Sequence, residues 1–461
     1  MKNNMTLLFF VLGTATGLKG QVCFNNDYNY STKGIPRFMI SRDFTGDGIL
    51  DLATAVIDDG TVVILEGAGD GSFAPLPGNP SNSVGQQPRY ITAADFNEDG
   101  IPDIVSSNYV SRNLTILLGT GPGYFTLYST FSTGFIEPTG IASADVNNDG
   151  HTDLVNLGSG QISVLLGDGT GSFTANPTIS TPGVEYIFLG DFNGDSSPDI
   201  AVTGAQTSNA VFVHLATGPG TFGAPVRYNV GYGPMAIAGA DFNGDGKLDL
   251  ATANFPVGSQ PPGISVLLGT GSGTFSAAVN KNTDNYPSFI AAADFNGDSK
   301  PDIAITTDWG TTDVFVNNGS GSFSAPYSFS SVSSLATCTV TGDFNQDGKQ
   351  DIVSSMYNDM SGPENINVYL NCTLLSVSDA SQDGNIAFSP NPTSAMLHIT
   401  IPDAMASNEK TVALYDIRGN RLFYSDQASL TEIDLSGYQA GLYFVKINCG
   451  SKTVTQKIIR Q

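Results

Sequence analysis

A nine-residue aspartate pattern recurs seven times along the chain, and nothing else in the sequence limits the fold as strongly. The copies are Asp43–Asp51 (DFTGDGILD), Asp95–Asp103 (DFNEDGIPD), Asp145–Asp153 (DVNNDGHTD), Asp191–Asp199 (DFNGDSSPD), Asp241–Asp249 (DFNGDGKLD), Asp294–Asp302 (DFNGDSKPD) and Asp343–Asp351 (DFNQDGKQD). Their first aspartates stand 52, 50, 46, 50, 53 and 49 residues apart. A period of about 50 residues is the length of one four-stranded propeller blade, so the repeats predict a seven-bladed β-propeller.

Each repeat supplies four short strands separated by glycine turns. In the fifth, Met235–Ala240 reads as the inner strand, Leu250–Ala253 as the second, Ile264–Leu268 as the third and Phe275–Val279 as the outer one. A Gly-x-Gly-x-Phe turn precedes the outer strand at Phe73, Phe173, Phe222, Phe275 and Phe323, with a variant ending at Phe125, and these rings read as packing between blades. The seventh repeat stops after its third strand, Ile366–Leu370, whereas Phe24 precedes Asp43 by the same 19 residues that separate Phe222 from Asp241. Phe24–Ser31 therefore reads as the missing outer strand of the last blade, which closes the ring and removes its free edges. That register puts Cys23 and Cys372 on the two sides of one turn and predicts a disulfide between them. Cys338 and Cys449 read as buried thiols.

The loops carry the chemistry. Positions 1, 5 and 9 are aspartate in every copy, position 3 is asparagine in all but the first, and a glycine usually follows position 5. A hard dication such as Ca2+ asks for six to eight oxygen ligands on a loop with one sharp turn, and this pattern meets that demand; a carbonyl at position 7 adds another oxygen. Zinc prefers His or Cys, and magnesium a smaller octahedral site with several waters. Turn-capping Asp and Asn, the alternative to metal ligation, suits an isolated copy better than seven. Charge points the same way: the net charge is -24, and the loop aspartates at positions 1, 5 and 9 make up 21 of the 43 acidic residues. One Ca2+ per blade, up to seven, is the expected cofactor. Thr45, Ser196 and Ser299 depart from the pattern and mark weaker sites.

An acidic chain of this kind is a poor partner for nucleic acid. With 53 glycines in 461 residues it suits turn-rich β structure, and no internal stretch approaches a membrane span. Lys2 followed by the apolar run Met5–Leu12 and small residues reads as an export signal over residues 1–20.

The pattern D-F-N-x-D-G-x-x-D-I/L with its distal Gly-x-Phe resembles the FG-GAP or VCBS repeats of the integrin alpha-subunit propeller and of many bacterial exported proteins. The resemblance implies calcium in the hairpin between the first and second strands of each blade. Carried over by position, the ligands are Asp43, Thr45, Asp47 and Asp51; Asp95, Asn97, Asp99 and Asp103; Asp145, Asn147, Asp149 and Asp153; Asp191, Asn193, Asp195 and Asp199; Asp241, Asn243, Asp245 and Asp249; Asp294, Asn296, Asp298 and Asp302; and Asp343, Asn345, Asp347 and Asp351. After a linker over 373–384, residues 385–461 resemble the C-terminal sorting domain of Bacteroidetes type IX secretion substrates. The resemblance rests on Ser389-Pro-Asn-Pro-Thr393, Val412-Ala-Leu-Tyr-Asp-Ile-Arg-Gly419, Ile433-Asp-Leu-Ser436, Gly441-Leu-Tyr-Phe-Val-Lys446 and the basic tail. Its alternating strands read as a small antiparallel β-sandwich. The domain plan is thus an export signal (1–20), a propeller (21–372), a linker and a sorting domain that engages the secretion machinery and delivers the chain to the cell surface or the medium.

In an up-and-down blade the calcium loops share one face, and the other connections emerge opposite. That opposite face carries Arg89, Tyr90, Tyr109, Arg112, Tyr186, Tyr232, Phe255, Tyr286, Trp309 and Tyr357. Of these, Arg89, Tyr109, Arg112, Tyr232, Tyr286, Trp309 and Tyr357 are the candidate contacts for a glycan or protein ligand. The three histidines, His151, His214 and His398, fall in unrelated parts of the repeat plan and suggest no triad. A monomeric, non-enzymatic adhesion or glycan-binding module is the leading expectation. The alternatives are a lyase-like polysaccharide-processing enzyme and a purely architectural surface protein.

Overall fold

Apolar residues alternating around short glycine turns produce strands, and every regular element among the described residues is a β-strand. The computed structural model describes residues 22–373 except 33, 77–81, 135–136, 184, 257, 331–334 and 358–364. Beyond 373 it describes 387–389, 396–400, 410–415, 421–426, 431–439, 441–449 and 452–460. The expected export signal, nearly all of the expected linker and most of the Ser389–Thr393 segment lie outside the described residues. The chain divides into two compact units, Gly20–Thr373 and a second containing Leu374–Gln461.

In the first unit the described strands form antiparallel sheets of four or five strands, one per aspartate loop, and one separate two-stranded hairpin. The fifth is Pro234–Ala240, Asp249–Asn254, Gly263–Leu267 and Val279–Asn282. Its second strand is buried at every residue because it has a neighbour on both edges and both faces. First strands of consecutive sheets lie side by side, from Pro36–Arg42 through Pro88–Ala94, Pro138–Ala144, Ile187–Gly190, Pro234–Ala240 and Pro287–Ala293 to Leu335–Gly342. The last of these also packs against Pro36–Arg42.

The join between the ends follows the sequence register. Phe24–Ser31 pairs antiparallel with Asn365–Asn371, Phe24 opposite Asn371. Cys23 and Cys372 form a disulfide with Cα atoms 5.0 Å apart, and the Cys372 N–H donates to the Cys23 carbonyl at 2.9 Å. Cys338 is a free buried thiol whose burial pushes its pKa up to about 12. The side chain of Cys449 lies outside the described residues.

The outer strand of the fifth sheet departs from expectation. Phe275 forms only an isolated bridge with Gly269, and regular pairing begins at Val279. The turn before Phe275 donates its Gly273 N–H to the Phe192 carbonyl of the preceding repeat, and the Phe275 ring packs 5.3 Å from that of Phe192. The same contacts hold the turns of the first and third repeats, where Phe73–Pro75 and Phe173–Ala175 do pair with the third strand. In the fourth repeat the same segment forms a separate hairpin of Ala216–Gly218 with Thr221–Phe222.

Where the first strands converge, four rings meet. Phe38 lies 5.1 Å from Tyr90 and 5.9 Å from Phe289, while Tyr186 lies 5.4 Å from Tyr90 and 5.9 Å from Phe289. These residues come from sheets that are not all neighbours, so they meet on the axis and plug it with apolar surface. Tyr90 and Tyr186, expected on the ligand face, are 5% and 8% exposed and belong to this plug instead.

In the second unit, Ala387–Ser389, Met396–Thr400 and Glu432–Asp434 form one sheet, and Arg421–Ser425, Lys410–Tyr415, Gly441–Cys449 and Lys452–Arg460 another. Leu397, Ile399 and Ile433 of the first share a buried cluster with Val412, Leu414, Val445, Ile447 and Ile458 of the second.

Removing the Cys23–Cys372 bond frees the whole closed loop in the unfolded chain. Cys23→Ser is expected to lower unfolding free energy by about 2–5 kcal/mol, measured by denaturant titration under non-reducing conditions.

Candidate functional site

The aspartate loop begins as a hairpin clamp. The ninth-position carboxylate is fully buried in every copy. In the fifth loop one Asp249 oxygen accepts the Phe242 N–H at 2.9 Å, and the other accepts the Gly269 N–H at 2.6 Å. The same pair of bonds recurs at Asp51, Asp103, Asp153, Asp199, Asp302 and Asp351. Each carboxylate thus ties its own loop to the end of the third strand. A side chain at Gly269 would place Cβ 2.2 Å from the Leu248 carbonyl oxygen, so this close approach requires glycine.

The second position joins neighbouring sheets. Phe44, Phe96, Val146, Phe192, Phe242, Phe295 and Phe344 are all buried. Their carbonyls accept N–H bonds from the turns of the next repeat: Gly123 to Phe44, Gly171 to Phe96, Gly220 to Val146, Gly273 to Phe192, Gly321 to Phe242 and Gly71 to Phe344. Phe295 receives Asn371 Nδ2 instead, at 2.9 Å. The rings pair in the same order, with Phe44 on Phe125, Phe96 on Phe173, Phe242 on Phe323, Phe295 on Phe24 and Phe344 on Phe73. The Gly-x-Phe rings therefore pack between sheets.

Position 5 is exposed at the tip in most loops, positions 1 and 3 are half-buried beside it, and Asn296 is buried. In the first loop, Asp43 accepts the N–H groups of Gly46, Asp47 and Gly48, and Asp47 accepts that of Ile49. Thr45 Oγ1 reaches Asp43 at 3.5 Å. The first-position carboxylates Asp95, Asp145, Asp191, Asp241, Asp294 and Asp343 make equivalent bonds. The third-position oxygens of Asn97, Asn147, Asn193, Asn243, Asn296 and Asn345 accept the N–H of Asp99, Asp149, Asp195, Asp245, Asp298 and Asp347 respectively. In the last three loops a lysine at position 7 returns to the fifth-position aspartate, Lys247 at 3.3 Å, Lys300 at 3.4 Å and Lys349 at 2.8 Å.

Among the described residues no group of three or more His, Cys, Asp or Glu side chains is gathered as a metal cluster. The donor set is nevertheless all oxygen, which fits a hard dication and no thiophilic metal. A carboxylate offers about four lone-pair sites, and the ninth-position group gives two or three of them to N–H donors. Burial, with repulsion from the nearby loop carboxylates, pushes Asp302 up to about 7 and Asp103 and Asp351 to about 6.

Residues expected on the opposite face divide into two sets. Arg89 stacks over Tyr109, 3.4 Å from the ring centroid, and shares a cavity with Tyr357. Tyr286 packs on Phe255 at 5.0 Å, Arg112 is exposed with φ of 56°, and Tyr232 and Trp309 are 45% and 66% exposed. None of Arg112, Tyr232, Tyr286 and Trp309 lines the Arg89 cavity. Sequence reasoning missed Arg37, which does. The signal was present, because Pro36-Arg37-Phe38 and Pro88-Arg89-Tyr90 occupy the same repeat position.

The histidines lie in three separate settings. His151 contacts Glu98, His398 lies 2.9 Å from Glu432, and His214 is buried, with Nδ1 3.0 Å from the Gly223 carbonyl and its pKa held down by burial.

Comparison with known proteins gives a family and a fold. The FG-GAP-like repeat matches residues 43–106, 97–156, 145–202, 191–252 and 294–354, which take in every aspartate loop. The secretion system C-terminal sorting domain matches residues 388–461. No curated protein sequence matches the chain. Among solved structures, BBS1N crystallised in complex with ARL6DN and soaked with mercury aligns with a TM-score of 0.52 at 13% identity, covering 76% of this chain and 97% of that one. The Neurospora crassa Pan2 WD40 domain aligns with a TM-score of 0.50 at 8% identity, covering 76% and 96%. At such identities the likeness shows the fold alone, a β-propeller.

Two substitutions separate clamp from loop tip. Asp249→Ala leaves two buried N–H groups unpaired and is expected to cost on the order of 2–6 kcal/mol in thermal or denaturant unfolding. Ser299 holds φ of 64°, a left-handed conformation that glycine adopts freely. Ser299→Gly is expected to raise stability by about 0.5–1 kcal/mol in the same measurement.

Proposed function

Because the chain belongs to the FG-GAP-like repeat family and ends in a secretion-system sorting domain, we propose that it is an exported, non-enzymatic binding module. It acts at the cell surface or in the medium, with a glycan or protein as ligand. In this reading the seven sheets are the blades of one closed propeller, and the second unit is a β-sandwich that engages the type IX machinery.

Calcium belongs to the same proposal. Asp, Asn or Thr at positions 1, 3 and 5 would hold one ion per loop, with the ninth-position carboxylate lending a remaining lone pair. The bound ion supplies charge neutralisation at each hairpin. The residues themselves shape the turn, close the clamp and present the loop to solvent. The all-oxygen donor set and a net charge of -24 support the assignment.

The observation that carries the binding role is the contrast between the two faces. One is filled with repeated structural hydrogen bonds. The other holds a cavity with Arg89 and Tyr357, beside the Arg89–Tyr109 stack. Irregular side chains on a rigid repeated scaffold are the usual form of a recognition surface.

A glycan array and a protein-interaction screen with the mature chain, run beside turnover assays on the same saccharides, test the role. Binding without product is expected, and product formation would favour the lyase-like alternative. Excess EGTA is expected to lower Tm by several degrees, because an ion held at 100 times its Kd adds about 2.7 kcal/mol per site. An unchanged melting curve removes calcium from the proposal.

A further inference from the structure

Two adjoining cavities open on the face away from the aspartate loops, and the first is lined by cations in a chain whose net charge is -24. The first, about 350 Å³, is lined by Ile35, Arg37, Ile57, Gln87, Arg89, Thr337 and Tyr357. Arg37 and Arg89 belong to neighbouring first strands, and among the described residues neither makes an ion pair. Arg37 lies beside Tyr90 and Tyr186 of the aromatic plug. Glu185 is half-buried and close enough for its charge to be felt by both guanidiniums. Both guanidiniums line the cavity and no carboxylate does, while Glu185 and Glu137, the latter bonded to the Tyr109 hydroxyl, stand outside the lining and favour a ligand of low negative charge. A dianionic phosphate would meet Glu185.

The second cavity, about 520 Å³, shares Ile57 and Gln87 with the first and adds Asp58, Asp59, Ser83 and Gln86. Its polar side chains are two carboxylates, two amides and a hydroxyl, with no cation. Such a lining accepts hydrogen bonds from hydroxyl groups and repels a second acid.

We propose that these joined cavities bind an acidic saccharide. A single uronate carboxylate sits between Arg37 and Arg89, and the next, neutral sugar places its hydroxyls against Asp58, Asp59 and Gln86. The proposal rests on the binding role assigned to this face and names its ligand class. Planar guanidinium forks match a carboxylate in two parallel bonds, which gives orientation as well as attraction. The order of the cavities, one cationic and the next acidic, selects an acid followed by an alcohol over a run of acids such as an aspartate-rich peptide.

The test is calorimetric titration of the full mature chain, at fixed calcium, with a glucuronic acid–galactose disaccharide, its uronate methyl ester and a hexa-aspartate peptide. The disaccharide is expected to bind at least tenfold more tightly than its ester or the peptide. Arg89→Gln, at the half-exposed rim, and Arg37→Gln are each expected to weaken it by roughly tenfold to a hundredfold without changing the ester. Melting curves identify a variant that has lost its fold, and the rim variant then carries the test. Equal binding of acid and ester, or acid binding unmoved by Arg89→Gln, overturns the acidic-saccharide assignment and leaves the binding role of the face intact. Tighter binding of the peptide also overturns it. Silence toward all three probes together with silent glycan and protein screens overturns both.

Discussion

A buried carboxylate that accepts backbone N–H bonds from two separate turns is the interaction on which this structure depends. Asp249 and its counterparts hold the first hairpin of each sheet against the end of its third strand. The charge is tolerated because both oxygens are paired. A buried donor left without a partner costs more than an average hydrogen bond contributes. The clamp also brings the second-position residue to the surface of its sheet, where its ring and carbonyl engage the next repeat. Intra-sheet and inter-sheet order therefore arise from two positions of a single motif.

That coupling explains how a chain of short strands avoids exposed edges. Each second-position residue packs against the turn of its successor, and the series continues through Phe295 on Phe24 and Phe344 on Phe73. The ends meet in the pairing of Phe24–Ser31 with Asn365–Asn371, secured by the disulfide. Repetition on one face leaves the other free to vary. The rigid side carries aspartates with structural work at every position. The variable side carries two arginines and a pair of dissimilar cavities, so the recognition proposed for it draws on residues the repeat does not constrain.

The aspartates at the loop tips have a different status from those in the clamp. Their oxygens already accept local N–H bonds, and Lys247, Lys300 and Lys349 place an ammonium beside the loop in three repeats. A divalent ion would join a turn that is shaped before it arrives. Capping chemistry and metal chemistry use the same residue types here, which is why the pattern supports both readings.

The repeat period, the strand that completes the last sheet and the Cys23–Cys372 pairing were legible in the sequence, because each follows from register along a periodic chain. The inward Gly-x-Phe rings were legible for the same reason. The clamp was not: the ninth-position aspartate reads as a ligand until its oxygens are seen facing the Phe242 and Gly269 N–H groups. Nor was the late start of the outer strand at Val279. Tyr90 and Tyr186 read as surface aromatics because linear position does not say which loop residues turn toward the axis. Arg37 gained its meaning only when the ring set it beside Arg89, 52 residues away in the chain. Local periodicity fixes what repeats, since every copy meets the same backbone demands. What differs between copies acquires a role only through the neighbours that tertiary packing supplies.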